Sequence, residues 1–229
     1  MEVLVVLFFF AGIGFIVLTM LGLFFLAILY LQKRAKQWKE LAYRHGFSYY
    51  KLDPLQIPSR YGYFPLLSIG SDRKASHVCR GAIKYWSICL FDYSYTTGSG
   101  DDETHYAMTL MILESPLIFK PMSLRPENVL DKVGAALGFD DIDFESAEFS
   151  RTYCVKGENK KFIYDIIHPK MMEFLLSHKG LYIETQQNTV LFHRGCLLKA
   201  PQIDQLLQEA DRFYEMIPDY VKKDNIHTG

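Results

Sequence analysis

Val3–Leu31 reads VLVVLFFFAGIGFIVLTMLGLFFLAILYL, 29 consecutive residues without a formal charge, with Thr19 the most polar side chain among them. As a helix rising about 1.5 Å per residue it reaches roughly 43 Å, against about 30 Å for the hydrocarbon core of a bilayer. A helix that is apolar on every side has no polar face to offer water, so this one belongs in lipid. A cleaved signal peptide is a poor fit. That reading needs a basic start, a run of about 7–15 apolar residues and a small-residue cleavage site. Here Glu2 is the only charge before the run, and Tyr30-Leu31-Gln32-Lys33-Arg34 follows it.

The flanks set an expected orientation. Glu2 stands on one side, while Lys33, Arg34, Lys36 and Lys39 crowd the other. Basic residues are retained in the cytoplasm, so the N-terminus is expected outside and everything after Leu31 inside the cell. Tyr30 and Trp38 suit an aromatic belt, and with the four basic residues they form the expected membrane contact, to the bilayer and its anionic headgroups. Gly12, Gly14 and Gly22 are followed four residues on by Ile16, Leu18 and Leu26, so no small-xxx-small face signals pairing of helices.

Beyond the anchor, charge is unevenly spread. Seven basic residues lie between Gln32 and Arg60 against Glu40 and Asp53, whereas 18 basic and 23 acidic residues follow from Tyr61 onward. No basic stripe recurs in that part, which argues against nucleic acid. Cys79, Cys89, Cys154 and Cys196 are scattered without a C-x-x-C pair, which argues against zinc and suits reduced cytoplasmic thiols. No cofactor is implied.

The helical period continues through Ala35, Trp38, Leu41, Ala42 and His45 to Gly46, a natural terminator. Next come a strand at Phe47–Lys51, a loop through Pro54 and Pro58, and a second strand near Tyr61–Ser68. His77–Ile83 and Trp86–Thr96 read as strands joined tightly near Lys84, with returning strands at Tyr106–Glu114 and Leu117–Lys120. Pro126–Leu137 reads as a helix closed by Gly138. Strands are expected at Asp141–Ser146 and Phe149–Val155, then a helix Asn159–His178 broken at Pro169. A hairpin at Leu181–Thr185 and Thr189–Cys196 across Gln186–Asn188, a helix from Pro201 to Pro218 and a frayed polar tail complete the chain. Such an order predicts an α+β fold with a mainly antiparallel sheet and about three packed helices. The expected divisions are an anchor at 1–31, a basic helix at 32–46, one domain at 47–217 with possible lobes 47–138 and 139–217, and a tail at 218–229.

Several groups invite chemistry. Asp141, Asp143 and Glu145 alternate, so on a strand they share a face that could hold a divalent cation. The plainer account is a solvated acidic face with Ile142 and Phe144 inward. Asp92 lies inside Phe91-Asp92-Tyr93-Ser94-Tyr95, where alternation places it outward and the aromatic residues inward. Cys89 or Cys154 with His77, His168 or His193 would make a dyad, although no local signature frames a nucleophile.

Phe91-Asp92-Tyr93, Arg125-Pro126-Glu127, Asp141-Ile142-Asp143-Phe144-Glu145 and Phe149-Ser150-Arg151-x-Tyr153 together resemble a family of uncharacterised prokaryotic proteins. These are membrane-anchored, with a cytoplasmic α+β domain. The resemblance implies a prokaryotic membrane protein and assigns no catalytic residue. The sequence thus favours a single-pass tethered binding or scaffold domain with a protein partner at the membrane, rather than an enzyme. The alternatives are a metal-assisted hydrolase built on the acidic run near Asp141, or a small-molecule or lipid sensor with an aromatic-lined pocket between the Phe91–Tyr95 strand and the last helix.

Overall fold

The computed structural model describes residues 1–84, 86–127, 139 and 141–225, and it opens on one long helix, α1 (Glu2–His45). The helix runs unbroken from the apolar stretch into the basic one. It ends where Gly46 turns to φ 67 and donates its N–H to the carbonyls of Ala42 and Tyr43. From Gly12 to Lys33 every side chain except that of Ile28 stands exposed, and none of the apolar window is buried by the rest of the chain. By length and composition this helix can cross a membrane. Phe15, Leu18, Leu23 and Phe24 are each about two-thirds exposed, and water contact forgoes about 1.5–3 kcal/mol for each such side chain. A helix of a soluble core would be covered by the rest of the chain, and this one is not.

The body is α+β. A six-stranded sheet is built from β1 (Ser48–Leu52), β2 (Ser71–Ile83), β3 (Trp86–Thr97), β4 (Thr104–Pro126), β5 (Tyr153–Gly157) and β6 (Tyr182–His193). All its pairings are antiparallel, in the order β1-β2-β3-β4-β5, with β6 also on β4. β4 is the spine. Its first half lies between β3 and β6, and its second half between β5 and β6.

Both faces of the sheet are covered. On one, α2 (Ile57–Arg60) and α3 (Pro65–Ser68) bring Ile57, Tyr61, Phe64, Leu66 and Leu67 onto Phe91, Tyr93, Leu110 and Ile112. On the other lie the end of α1, α5 (Lys160–Ile166), α6 (Pro169–Ser177) and α7 (Ala200–Met216). They pack on Ile88, Leu90, Met111 and Phe192. With helices on each side, β3 is buried almost end to end and loses the alternation of a half-exposed strand.

The main expectations hold for α1 through Gly46, the meander, the break at Pro169 and the last long helix. The departures have local causes. Tyr61–Ser68 is not a strand, because Pro58 and Pro65 each enter the first turn of a short helix and Asp53 accepts the N–H groups of Leu55 and Ile57. Tyr106–Glu114 and Leu117–Lys120 are one strand, interrupted by register shifts that accommodate Pro116. Opposite that irregularity the expected hairpin is a single bent strand, β6, with Gln187 at φ 53 paired with Phe119. Phe149 lies in α4 (Ala147–Thr152), which Ser146 caps, before β5 starts. Asp141–Ser146 contributes only an isolated bridge from Asp141 to Lys156. The expected frayed tail starts as α8 (Asp219–Asp224), with Val221 buried and the Asn225 carbonyl accepting from the N–H of Ile118 at 2.7 Å. Pro126 closes β4, Glu127 is a turn residue whose N–H donates to the Thr152 carbonyl at 3.0 Å, and residues 128–137 of the expected helix lie outside the described residues.

Candidate functional site

The chemistry of the fold concentrates where α1 leaves its exposed stretch and meets the sheet. Arg34 and Trp38 are one helical turn apart and face the same way, so both enter the core together. Asp92, in the middle of β3, stands opposite Thr109 of β4 on the face that α1 covers. Arg34 donates to it twice, from Nε to Oδ2 at 2.8 Å and from Nη2 to Oδ1 at 2.6 Å. Trp38 adds its indole N–H to Oδ2 at 3.0 Å, and the Thr109 hydroxyl donates to Oδ1 at 2.9 Å. Four donors thus fill the capacity of a carboxylate.

The network closes on the other side too. Arg34 Nη1 donates to the Leu198 carbonyl, and Nη2 also reaches the Thr109 hydroxyl at 3.1 Å. The N–H of Leu198 donates to the same hydroxyl at 2.9 Å. Helix, two strands and the loop before α7 are therefore joined through one buried, fully satisfied polar cluster. Such clusters specify a unique arrangement when every member is paired. Ten residues on, Arg44 and His45 bond Asp204 of α7 at 2.9 and 2.7 Å, fixing the lower end of the helix.

These contacts correct two expectations. Arg34 and Trp38 belong to the core and not to the headgroup layer, and Asp92 faces inward. Tyr30, Lys33, Lys36 and Lys39 remain exposed along the helix. Alternation puts Asp92 outward because it assigns one solvated face to a strand, whereas β3 has none. The available signal was a lone carboxylate in an apolar strand, together with an Arg four residues before a Trp on the docking stripe.

The other candidate chemistries dissolve into structure. Burial pushes the Cys79 and Cys89 thiols up to about 12 and that of Cys154 to about 11, so none carries a thiolate at neutral pH. His168 caps α6 and reaches the Met216 carbonyl at 3.0 Å. His193 is wholly buried and accepts the N–H of Gly195 at 3.1 Å. His77 bonds the Tyr49 hydroxyl at 2.8 Å, and its pKa is lowered by burial against the pull of Asp92.

In the acidic run, Asp141 pairs with Lys156 at 3.1 Å and accepts the Cys154 thiol, which with Lys156 holds its carboxyl low. Asp143 and Glu145 point to solvent while Ile142 is buried, the plainer of the two readings. Among the described residues no three His, Cys, Asp or Glu groups converge as a metal would require. Among the described residues, no aromatic-lined pocket opens between the Phe91–Tyr95 strand and α7. Phe91, Tyr93 and Tyr95 face α2 and α3, and the crevice between the sheet and α7 holds about 10 Å³.

The fold has a counterpart of known structure. It is shared with the mycobacterial trehalose monomycolate transport factor A. The two structures superpose with a TM-score of 0.58 at 15% identity, over 80% of this chain and 96% of that one. No family model and no curated protein matches the sequence.

Proposed function

We propose that the chain is a membrane-tethered cytoplasmic protein of a prokaryote that works by binding, as an accessory to a transport assembly at the bilayer. The observation that carries this reading is the continuity of α1. An uncovered apolar helix passes without a break into a body that grips it at Arg34, so that body is held at one height and one angle above the membrane. A tether of this kind raises the effective concentration of the body toward anything else in the same leaflet. The solved structure that shares the fold is itself named a transport factor.

The lipid bilayer is the first partner, and a membrane protein is the second. Lys33, Lys36 and Lys39 supply the contact with anionic headgroups, with Tyr30 at the edge of the hydrocarbon. The same charges favour an outside N-terminus and a cytoplasmic body.

Cys196 gives a direct test, because it is exposed while Cys79, Cys89 and Cys154 are buried. A membrane-impermeant maleimide should leave Cys196 unlabelled in intact cells and modify it once the membrane is opened. The chain should stay with the membrane through an alkaline carbonate wash. Labelling in intact cells overturns the sidedness, and release by carbonate overturns the anchor. The binding role fails if in-cell crosslinking from the body yields only the uncrosslinked chain.

A further inference from the structure

The end of the sheet nearest the apolar helix carries a polar cleft that the Arg34 cluster does not use. α1 runs from Asp92 and Thr109 toward Asp204 of α7, and α7 lies over Trp86 and Ile88 through Leu207 and Ala210. The helix therefore descends toward the Trp86 end of β3, and its upstream end points toward the Thr97 end. Ser94 and Thr96 follow Asp92 on the same face, about 7 and 13 Å along the strand. Arg34 lies three residues past Leu31, about 4.5 Å along the helix. Ser94 and Thr96 thus stand about 2 and 8 Å past the level of Leu31, within the roughly 13 Å by which the apolar run exceeds the hydrocarbon core. With that excess on this side, a bilayer-spanning α1 sets this end of the sheet at the headgroup boundary.

The cleft there is open and encloses about 370 Å³, within the roughly 300–1,000 Å³ of small-molecule sites. Asp72, Lys74, Ser94, Thr96 and His105 line it, with the rings of Tyr95 and Tyr106. A bulge builds it. Ser71 pairs with Thr96 and Lys74 with Ser94, which leaves one extra residue in β2, and Asp72 takes φ 49. Bulges re-aim side chains at sheet edges. Thr96 Oγ1 and His105 Nδ1 are bonded at 2.9 Å, which leaves Nε2 for another partner. Among the described residues neither Asp72 nor Lys74 is in an ion pair. One cleft therefore offers a carboxylate, an ammonium and, besides the Thr96 hydroxyl that His105 holds, the hydroxyls of Ser94 and Tyr106.

We propose that this cleft binds a zwitterionic headgroup, a phosphate diester with a protonated amine two carbons away, presented by a lipid of the leaflet that α1 enters. The proposal rests on the reading of α1 as an anchor. Lys74 and the hydroxyls take the phosphate, and Asp72 takes the amine. A purely anionic headgroup meets repulsion at Asp72, and a purely cationic one meets it at Lys74. Free phosphoethanolamine carries related groups, so the source is decided by experiment.

Full-length protein in a polyoxyethylene detergent, which has neither phosphate nor sugar, is titrated with three probes followed by calorimetry. The probes are dihexanoyl phosphatidylethanolamine, dihexanoyl phosphatidylglycerol and free phosphoethanolamine. The first should bind, and the other two should bind at least about tenfold more weakly, the factor one charge-assisted hydrogen bond carries. Lys74→Gln and Asp72→Asn should each weaken it by a similar factor, with unchanged near-ultraviolet circular dichroism. Asparagine tolerates the positive φ at position 72.

No binding of the ethanolamine lipid, or binding indifferent to both substitutions, overturns the proposal. Equal binding of phosphatidylglycerol overturns the zwitterion, and equal binding of free phosphoethanolamine overturns the lipid source. Flotation of the full chain with liposomes reads the anchor separately. Failure to float with the titration intact removes the membrane reading and leaves the headgroup chemistry standing.

Discussion

The guanidinium of Arg34 and the carboxylate of Asp92, 58 positions apart, meet side-on through two hydrogen bonds of 2.8 and 2.6 Å, with both side chains about nine-tenths buried. Removing one partner of such a pair strands the other, at about 3–5 kcal/mol, whereas replacing both by apolar groups is often nearly neutral. Arg34→Met should therefore lower stability by about that much. Arg34→Met with Asp92→Leu should recover a good part of the loss. Recovery should be incomplete, because the Trp38 N–H, the Thr109 hydroxyl and the Leu198 carbonyl all lose partners. Thermal unfolding of the full chain in detergent, followed by near-ultraviolet circular dichroism, measures both. A single variant as stable as the parent would remove the pair from the account of how α1 is held.

The turn after α1 makes a second prediction. The Phe47 ring packs against Gly81, so a Cβ at that position would overlap the ring carbons Cδ1 and Cε1. Gly81→Ala must push Phe47 away from the edge of the sheet, an overpacking cost of about 1–3 kcal/mol. Phe47→Ala alone leaves a void, but in combination with Gly81→Ala the two losses should be clearly less than additive. Denaturant midpoints of the four proteins give the coupling, and strict additivity would show that the ring is not what Gly81 accommodates.

Stability should fall on mild acidification. Burial lowers the His193 imidazole to about 3, and the Gly195 N–H already occupies its Nδ1. In the unfolded chain the same group titrates near 6.5. Between those values the unfolded state binds a proton that the native state refuses, so stability present above pH ~6.5 is lost by about 1.4 kcal/mol per unit as pH falls. His77, also lowered by burial, adds in the same direction. Asp204 acts later. Burial raises its carboxyl, but hydrogen bonds from His45 and Arg44 outweigh this and hold it low, so its share is lost only below about pH 4. Unfolding free energies at pH 7.5 and 5 should therefore differ by about 2 kcal/mol or more, and His193→Gln should flatten the slope by about one proton. An unchanged slope in that variant would show that His193 is protonated in the native state.

Much of this fold is legible in sequence where its cause is local. The exposed helix, its glycine terminator, the break at Pro169 and the period of Ile203 to Phe213 are written within one or two turns. What escapes is set by distant partners. The bends of β4 and β6 match each other across Phe119 and Gln187, and neither strand alone shows whether it stops or bends. Pro58 reads as a loop marker and Pro65 falls inside an expected strand, although both start helical turns. The site is the least legible part of the sequence. A basic residue after an apolar helix points equally to headgroups and to a buried acid, and only the second covered face of β3 decides between them.

Membrane insertion and folding pull apart the roles of the basic residues, and that gives the last prediction. Arg34 is in the core of the folded protein, yet during insertion Asp92 has not been made, so Arg34 still counts toward orientation beside Lys33, Lys36 and Lys39. Neutralising the three exposed lysines to Gln leaves Arg34 and, within about 15–20 residues of the helix end, Arg44 and Lys51 against a single N-terminal Glu2. That variant should keep its orientation, with Cys196 still protected in intact cells. Adding Glu2→Lys and Val3→Lys to it removes the asymmetry, and a substantial fraction of chains should then expose Cys196 to impermeant maleimide from outside. The body should keep its fold in the first variant, because Lys33, Lys36 and Lys39 touch none of the groups that bind Arg34. Inversion by the three substitutions alone would mean that Arg34 is already sequestered when orientation is chosen. Protection of Cys196 in both variants would mean that the body, and not the flanking charge, sets the sidedness.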